Sequence, residues 1–353
     1  MMFSNFYKGK KVLITGHTGF KGSWLSKILI GLGSEVIGYS LPPNNEPNLF
    51  DILGLDSKMT SITGDVRDYD SLIDVLDTYS PEIVIHMAAQ PLVGHSYEFP
   101  RYTFDVNVMG TVNLLDAVRN TNCVKSIINV TTDKVYLNNE WAWGYREADV
   151  LDGYDPYSNS KSCSDLITGC YARCFLNGNV AVSTVRAGNV IGGGDFTNPR
   201  IIPDCMRAAL SHSTLCIRNP YSTRPYQHVL EPLFAYLMIA ERQYSNSKFA
   251  GSYNVGPLDD SCVNNLQLVE LFAKYWGNDF KFKCVSESNA PHEANYLKLD
   301  ISKICSIFGW RPVWTVDMAV KKTVDWIAAY ARNQSLDSLM ESQIEEYMNQ
   351  IRW

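Results

Sequence analysis

The chain is short of charge. Only 19% of its 353 residues are Asp, Glu, Lys or Arg, and the net charge of −6 includes no run of lysine or arginine. That balance argues against nucleic acid as the main partner, because holding a phosphate backbone needs a basic face. A dinucleotide or a nucleotide sugar asks only for local positive charge and stays compatible. Long apolar runs are also missing. Leu233 to Ala240 is roughly two-fifths of a membrane-spanning stretch, and the opening Met-Met-Phe-Ser-Asn-Phe-Tyr-Lys has no signal-peptide core. A membrane partner is not expected, and a cytoplasmic location is. The nine cysteines form no C-x-x-C pair, and Cys170 and Cys174, four apart, have no histidine nearby. Reduced thiols are expected rather than a zinc site or a disulfide framework, and no metal is called for. With 46% hydrophobic residues, the chain can bury one large core or two modest ones.

What is present begins with residues 10 to 25. Val12, Leu13 and Ile14 read as a buried strand. Gly16, Gly19 and Gly22 follow at G-x-x-G-x-x-G spacing, and Trp24, Leu25, Ile28, Leu29 and Leu32 recur at helical spacing. Glycines let the backbone turn tightly and admit a pyrophosphate, which the first free N–H groups of the helix then face. A dinucleotide site is the functional reading; an ordinary strand–turn–helix corner is the bland one. A second strand is expected over Glu35 to Tyr39. Ser40 stands where an acid would grip an adenosine ribose, so the strand does not choose between NAD and NADP.

Further strands are expected at Ser61 onward, Glu82 to Met87, Ser126 to Val130 and Val180 to Arg186. Asp65 could bind an adenine amino group or cap the helix that starts near Tyr69. His86, inside an apolar run, reads as a core histidine. Ala88, Ala89 and Gln90 let a cofactor lie close at a strand end. Thr131-Thr132-Asp133-Lys134 sets a hydroxyl, an acid and an amine at another strand end, either a chemical constellation or a helix cap. Tyr157 and Lys161, four apart, share a helix face, and a lysine there lowers a tyrosine pKa. The string Tyr-Ser-Asn-Ser-Lys recurs at Tyr244 to Lys248, where it ends a helix expected over Leu230 to Tyr244 and is read as a solvated loop. Beyond Gly192-Gly193-Gly194-Asp195 the alternation of strand and helix loosens. Arg200, Arg218 and Arg224 lie on loops there, solvated or gripping a diphosphate. A terminal helix is expected over Asp337 to Trp353.

Together these segments resemble the nucleotide-sugar 4,6-dehydratases among the extended short-chain dehydrogenase/reductases. The likeness rests on Thr15-Gly-His-Thr-Gly-Phe-Lys-Gly-Ser-Trp-Leu25, His86-Met-Ala-Ala-Gln-Pro-Leu92, Thr131 to Lys134 and Glu140-Trp-Ala-Trp-Gly-Tyr-Arg-Glu147. It continues in Asp155-Pro-Tyr-Ser-Asn-Ser-Lys161, Val185 to Asp195, Arg224-Pro-Tyr-Gln-His-Val-Leu-Glu-Pro232 and Pro291 to Asp300. The resemblance implies an α/β fold: a Rossmann-type doubly wound parallel sheet over residues 1–188 and a smaller substrate-binding α/β domain over 189–353, with interleaving allowed. It implies NAD against Gly16, Thr18, Gly19, Phe20, Lys21, Gly22, Asp65, Val66, Ala88, Ala89, Gln90, Asn107, Tyr157 and Lys161. Thr132, Tyr157 and Lys161 would form the redox triad, and Asp133 and Lys134 the acid and base of a water elimination. Asn189, Arg200, Arg224, His228, Asn254, His292 and Tyr296 would hold the nucleotide sugar, CDP-glucose being favoured. A homodimer or higher homo-oligomer is implied as well. The chain differs from the usual pattern at Gly94-His95, where relatives often have arginine, and at Val135, where close relatives tend to have cysteine. The rivals are a dehydratase or C4-epimerase acting on another nucleotide sugar, and a non-catalytic nucleotide-sugar sensor or scaffold.

Overall fold

The structure, a computed structural model, describes residues 2–176, 178–285 and 296–352. Its centre is a seven-stranded sheet in which every neighbouring pair is parallel. Six strands come in order from the first half: β1 (Lys11–Thr15), β2 (Glu35–Ser40), β3 (Thr60–Thr63), β4 (Ile83–His86), β5 (Ser126–Val130) and β6 (Ala181–Ala187). The seventh, Ser252–Val255, pairs with β6 from far along the chain. The spatial order is Ser252–Val255, β6, β5, β4, β1, β2, β3. Parallel strands need helical crossovers, which cover both faces, so β4, β5 and β6 are buried throughout. β1 lies between β2 and β4, where the strand order reverses. In open parallel sheets the ligand crevice lies outside the carboxyl ends of the strands at such a reversal.

Helix α1 (Phe20–Gly31) follows β1 and is buried almost all round. Trp24 is fully buried and donates its indole N–H to the Gly193 carbonyl at 2.9 Å, fastening α1 to the triple-glycine loop. Lys27 is held by Asp337 at 2.7 Å and Glu341 at 3.1 Å, both on the terminal helix Leu336–Gln350. That helix also docks through Tyr347, whose hydroxyl donates to the buried Glu231 at 2.7 Å.

The helix Pro156–Cys174 starts where its sequence says it should: Asp155 accepts the Ser158 N–H at 2.9 Å, and Pro156 takes the first helical position. Its inward face is polar and small rather than apolar: Ser158, Ser160, Lys161, Ser162, Ser164, Asp165 and Thr168 are buried. Ser164 meets Thr111 at 2.9 Å and Asn129 at 3.0 Å, so hydroxyl and amide bonds join this helix to its neighbours.

After β6 the chain forms short ladders: Val190–Ile191 with Gln227–His228, Thr223–Arg224 with Val263–Asn264, and Thr214–Ile217 with Lys281–Cys284. Helices Ile201–Leu210, Asn265–Trp276 and Val316–Ala331 pack around them. Helix Leu230–Ser245 returns to the sheet, where Gln243 donates to Ser126 at 2.8 Å and to the Ile127 carbonyl at 2.9 Å. The second Tyr-Ser-Asn-Ser-Lys string ends a helix, as expected, with the helix reaching Ser245. Tyr244 is helical and half-buried, bonded to Lys10 and Glu82, while Ser245 to Lys248 are exposed.

His86 and His228 set a pH dependence. His86 lies between Thr15 at 2.7 Å and Thr111 at 3.3 Å, the core position expected for it. Burial pushes both imidazoles down to about 3. A group favoured neutral in the fold stabilises it above the unfolded pKa of about 6.5 and loses that contribution as pH falls toward the folded pKa. Each histidine should cost up to about 2 kcal/mol between pH 7 and pH 5. Glu231 acts oppositely: burial raises it to about 7, so its contribution is full below the ordinary carboxylate range and fades as pH rises through 7. The thermal midpoint should therefore fall between pH 7 and pH 5, and His228→Gln should flatten the slope. Equal midpoints at the two pH values would contradict this.

Candidate active site

A cavity of about 1750 Å³ runs along the carboxyl ends of the central strands and into the second half of the chain. At the first end lie Gly16, Thr18, Gly19, Phe20, Lys21 and Gly22. The glycines are sterically required. A Cβ on Gly22 would stand 2.2 Å from the Gly16 carbonyl oxygen, and one on Gly16, at φ +79°, would meet the Ala88 nitrogen at 2.8 Å. Among the described residues no side chain caps the start of α1, which leaves its N–H groups for a ligand. Thr18 is oriented by Ser40 at 3.0 Å and the Leu41 carbonyl at 2.9 Å.

Asp65 lines the same cavity and does not cap the next helix; Asp68 does, through the Ser71 N–H. Arg67 pairs with Asp65 at 2.7 Å and holds its carboxyl below the usual range, so it is charged and ready to accept. Val66, Ala88, Ala89 and Gln90 complete this wall. A side-chain-free cradle at a helix start, with an anionic acceptor on the same wall, fits a pyrophosphate-bridged dinucleotide.

Asn107 does not reach the cavity. It sits in a π-helical turn, Asp105–Met109, with its amide bonded to both backbone groups of Gln90, at 2.8 and 3.1 Å, and to Ser160 at 2.9 Å. It shapes the wall through Gln90 instead.

Thr132, Asp133, Lys134, Tyr157 and Lys161 all line the cavity, brought together from the end of β5 and the first turns of helix Pro156–Cys174. Thr132 donates to one Asp133 oxygen at 3.0 Å and lies within hydrogen-bonding reach of the Tyr157 phenol. The other Asp133 oxygen, Oδ2, is buried with no protein partner among the described residues. Burial raises the Asp133 pKa, opposed by Lys134, Thr132 and Arg224. That favours the protonated form, which an acid must have before it can donate. Burial also pushes Tyr157 up to about 12, with Thr132 and Arg200 opposing. Lys161 donates to the Val130 carbonyl at 2.9 Å, and burial together with Lys21 brings it down to about 7.

The far end carries Asn189, Arg200, Arg218 and Arg224, with Asp195 holding Arg200 at 3.3 Å. Lys21 belongs to this chamber as well as to the glycine turn. Burial and Arg200 lower it to about 8, while Asp133 and Asp195 pull the other way. The glycine spacing alone does not place Lys21 beside Asp133.

Three expected substrate contacts fall elsewhere. His228 is fully buried away from the cavity, packed edge-on to Trp24 and Trp314. Asn254 is consumed by the protein: its oxygen accepts from Tyr136 at 2.6 Å and its amide donates to the carbonyls of Tyr145 and Asp300. Tyr296 bridges to Thr223 and lies under the Lys298 ammonium, off the cavity wall. His292 lies outside the described residues.

Sequence comparison places the chain among known proteins. The sequence pattern of the family described as GDP-mannose 4,6 dehydratase matches residues 13–323. A CDP-glucose 4,6-dehydratase from Salmonella typhimurium is 45% identical over 356 residues, covering 99% of each chain. A CDP-paratose 2-epimerase from Salmonella typhi is 27% identical, covering 90% of this chain and 99% of that protein. Among solved structures, dTDP-glucose 4,6-dehydratase from Bacillus anthracis in complex with NAD superposes with a TM-score of 0.77 at 22% identity, covering 94% of this chain and 100% of that one.

Proposed function

The chain belongs to the GDP-mannose 4,6-dehydratase family of extended short-chain dehydrogenase/reductases, and from that premise we propose that it converts CDP-glucose to CDP-4-keto-6-deoxyglucose and water with bound NAD. The observation that carries the reading is the buried Asp133 Oδ2, without a partner among the described residues, in a chamber shared with Lys134 and Tyr157. The near full-length similarity to a CDP-glucose 4,6-dehydratase supports the choice of substrate.

The cradle of Gly16, Gly19 and Gly22 would hold NAD, which would supply a hydride acceptor for sugar C4 and a hydride donor for C6. The side chains move the protons. Tyr157, as phenolate, takes the proton of the C4 hydroxyl, and Thr132 holds that hydroxyl by a hydrogen bond. Burial favours the protonated Tyr157, Thr132 and Arg200 oppose it, and Lys161, one turn along the same helix face, would in its charged form stabilise the phenolate. The resulting 4-keto group acidifies the C5 proton. Lys134 removes it, and Asp133, protonated through its burial, gives a proton to the departing C6 hydroxyl. Arg200 and Arg224 line the cavity where they can pair with the diphosphate.

A C4-epimerase would use the Tyr–Lys pair but has no task for an acid beside an amine. Incubation with CDP-, dTDP-, UDP- and GDP-glucose, followed by alkaline ultraviolet detection of 4-keto-6-deoxy sugars, tests the reading. Product from CDP-glucose supports it. Product only from another nucleotide would change the substrate, and none from any would sink the reaction class.

We further propose that residues 1–188 serve mainly the cofactor and 189–353 mainly the substrate, in a cytoplasmic homodimer. Exposed Met109, Leu166 and Phe175, on and just after the two helical stretches over 105–119 and 156–174, support self-association. A monomeric mass by light scattering would refute the dimer.

A further inference from the structure

Asp165 and Arg186 form a buried ion pair beneath the site, each with less than 5% of its side chain exposed. The pair is a two-pronged fork: Arg186 Nε reaches Asp165 Oδ2 at 2.9 Å and Nη2 reaches Oδ1 at 2.8 Å. Asp165 also accepts from the hydroxyls of Thr131 at 3.1 Å and Thr184 at 3.2 Å, so both its oxygens are fully used. Arg186 gives its remaining nitrogen, Nη1, to the Tyr136 hydroxyl at 2.8 Å and the Glu147 carbonyl at 3.0 Å.

The positions of these partners are informative. Thr131 immediately precedes Thr132-Asp133-Lys134, and Tyr136 follows two residues after Lys134. Both ends of the reactive segment are therefore tied to one ion pair. Asp165 lies one turn beyond Lys161 on the helix that also carries Tyr157, so the same pair grips that helix. Tyr136 passes the link on to Asn254, whose backbone N–H donates to Glu147 at 2.8 Å.

We infer that the Asp165–Arg186 pair is a positioning device that keeps the Tyr157–Lys161 helix in register with the Thr132-Asp133-Lys134 segment. Neither residue lines the cavity, so neither touches the substrate. The fork matters because a guanidinium fixes two carboxylate oxygens and a third partner at once, which a lysine cannot do. The negative charge of Asp165 also opposes the effect of burial on Lys161. The role assigned to the pair rests on the proposed redox reading of the site.

The test is single-turnover reduction of NAD at saturating CDP-glucose, read by the absorbance of reduced nicotinamide, beside steady-state product formation. This first step needs the Tyr–Lys chemistry and not the elimination. Removing one partner would strand a buried charge, so the main variant is Asp165→Asn with Arg186→Gln, which neutralises both. Its reduction rate should fall about 30-fold or more, with KM for CDP-glucose within about threefold of wild type, because small displacements of reacting groups cost rate before affinity. Arg186→Lys should recover part of the loss, remaining about tenfold down. A folded double variant within twofold of wild type, or a loss lying wholly in KM, would overturn the inference. Should the double variant not fold, Arg186→Lys decides: a wild-type rate overturns the inference, and a slowed rate at unchanged KM upholds it. Failure of the dehydratase reading would show separately, as wild-type protein that reduces NAD but releases no dehydrated sugar.

Discussion

Lys134→Met is expected to stop water loss while leaving C4 oxidation in place. On mixing with CDP-glucose the variant should reduce its bound NAD once and then stall, with product formation about 10³-fold below wild type. The logic is positional. Lys134 is the amine beside Asp133 in the cavity, and it takes no part in the Thr132–Asp133 hydrogen bond through its side chain. Methionine keeps the length and apolar stem of lysine and removes only the amine. The oxidation residues, Tyr157 and Lys161, sit on another element and keep their places. Solvent deuterium incorporation at C5 should vanish along with product. A variant that makes product near the wild-type rate would show that another group removes the C5 proton.

Tyr157→Phe should fail one step earlier. Without the phenol nothing takes the C4 proton, so reduced nicotinamide should not accumulate and overall turnover should drop by about 10³-fold or more. Binding should change little. The ring remains packed, and Lys161 keeps its bond to the Val130 carbonyl at 2.9 Å. The two variants thus divide the reaction: one oxidises without eliminating, the other does neither. If Tyr157→Phe reduced NAD as fast as wild type, the tyrosine would not be the base of the first step, whatever the outcome for Lys134.

The sequence reveals those parts of the molecule whose signals are local. The glycine spacing, the Thr-Asp-Lys strand end and the Tyr–Lys pair are each carried by a few adjacent residues, and all reach one cavity. What escaped depends on distant partners. Ser252–Val255 is too short to announce that it completes the main sheet; its register with β6 sets Asn254 opposite Arg186. There Asn254 serves the buried network rather than the substrate. His228 lies close in sequence to Arg224, yet only Arg224 lines the cavity, because the two-residue strand Gln227–His228 turns the imidazole into the core. The buried face of helix Pro156–Cys174 is made of hydroxyls, so hydrophobic periodicity could not reveal it. Lys21 shows the same limit, since its neighbours come from two distant segments, Asp133 from one and Asp195 with Arg200 from the other.

The most direct measurement uses CDP-glucose carrying deuterium at C4, with the product examined by mass spectrometry and NMR. Internal redox dehydration requires the label to leave C4 and reappear at C6 of a 4-keto sugar one water lighter than the substrate. Label lost to solvent, or retained at C4 of an epimerised but undehydrated sugar, would contradict it.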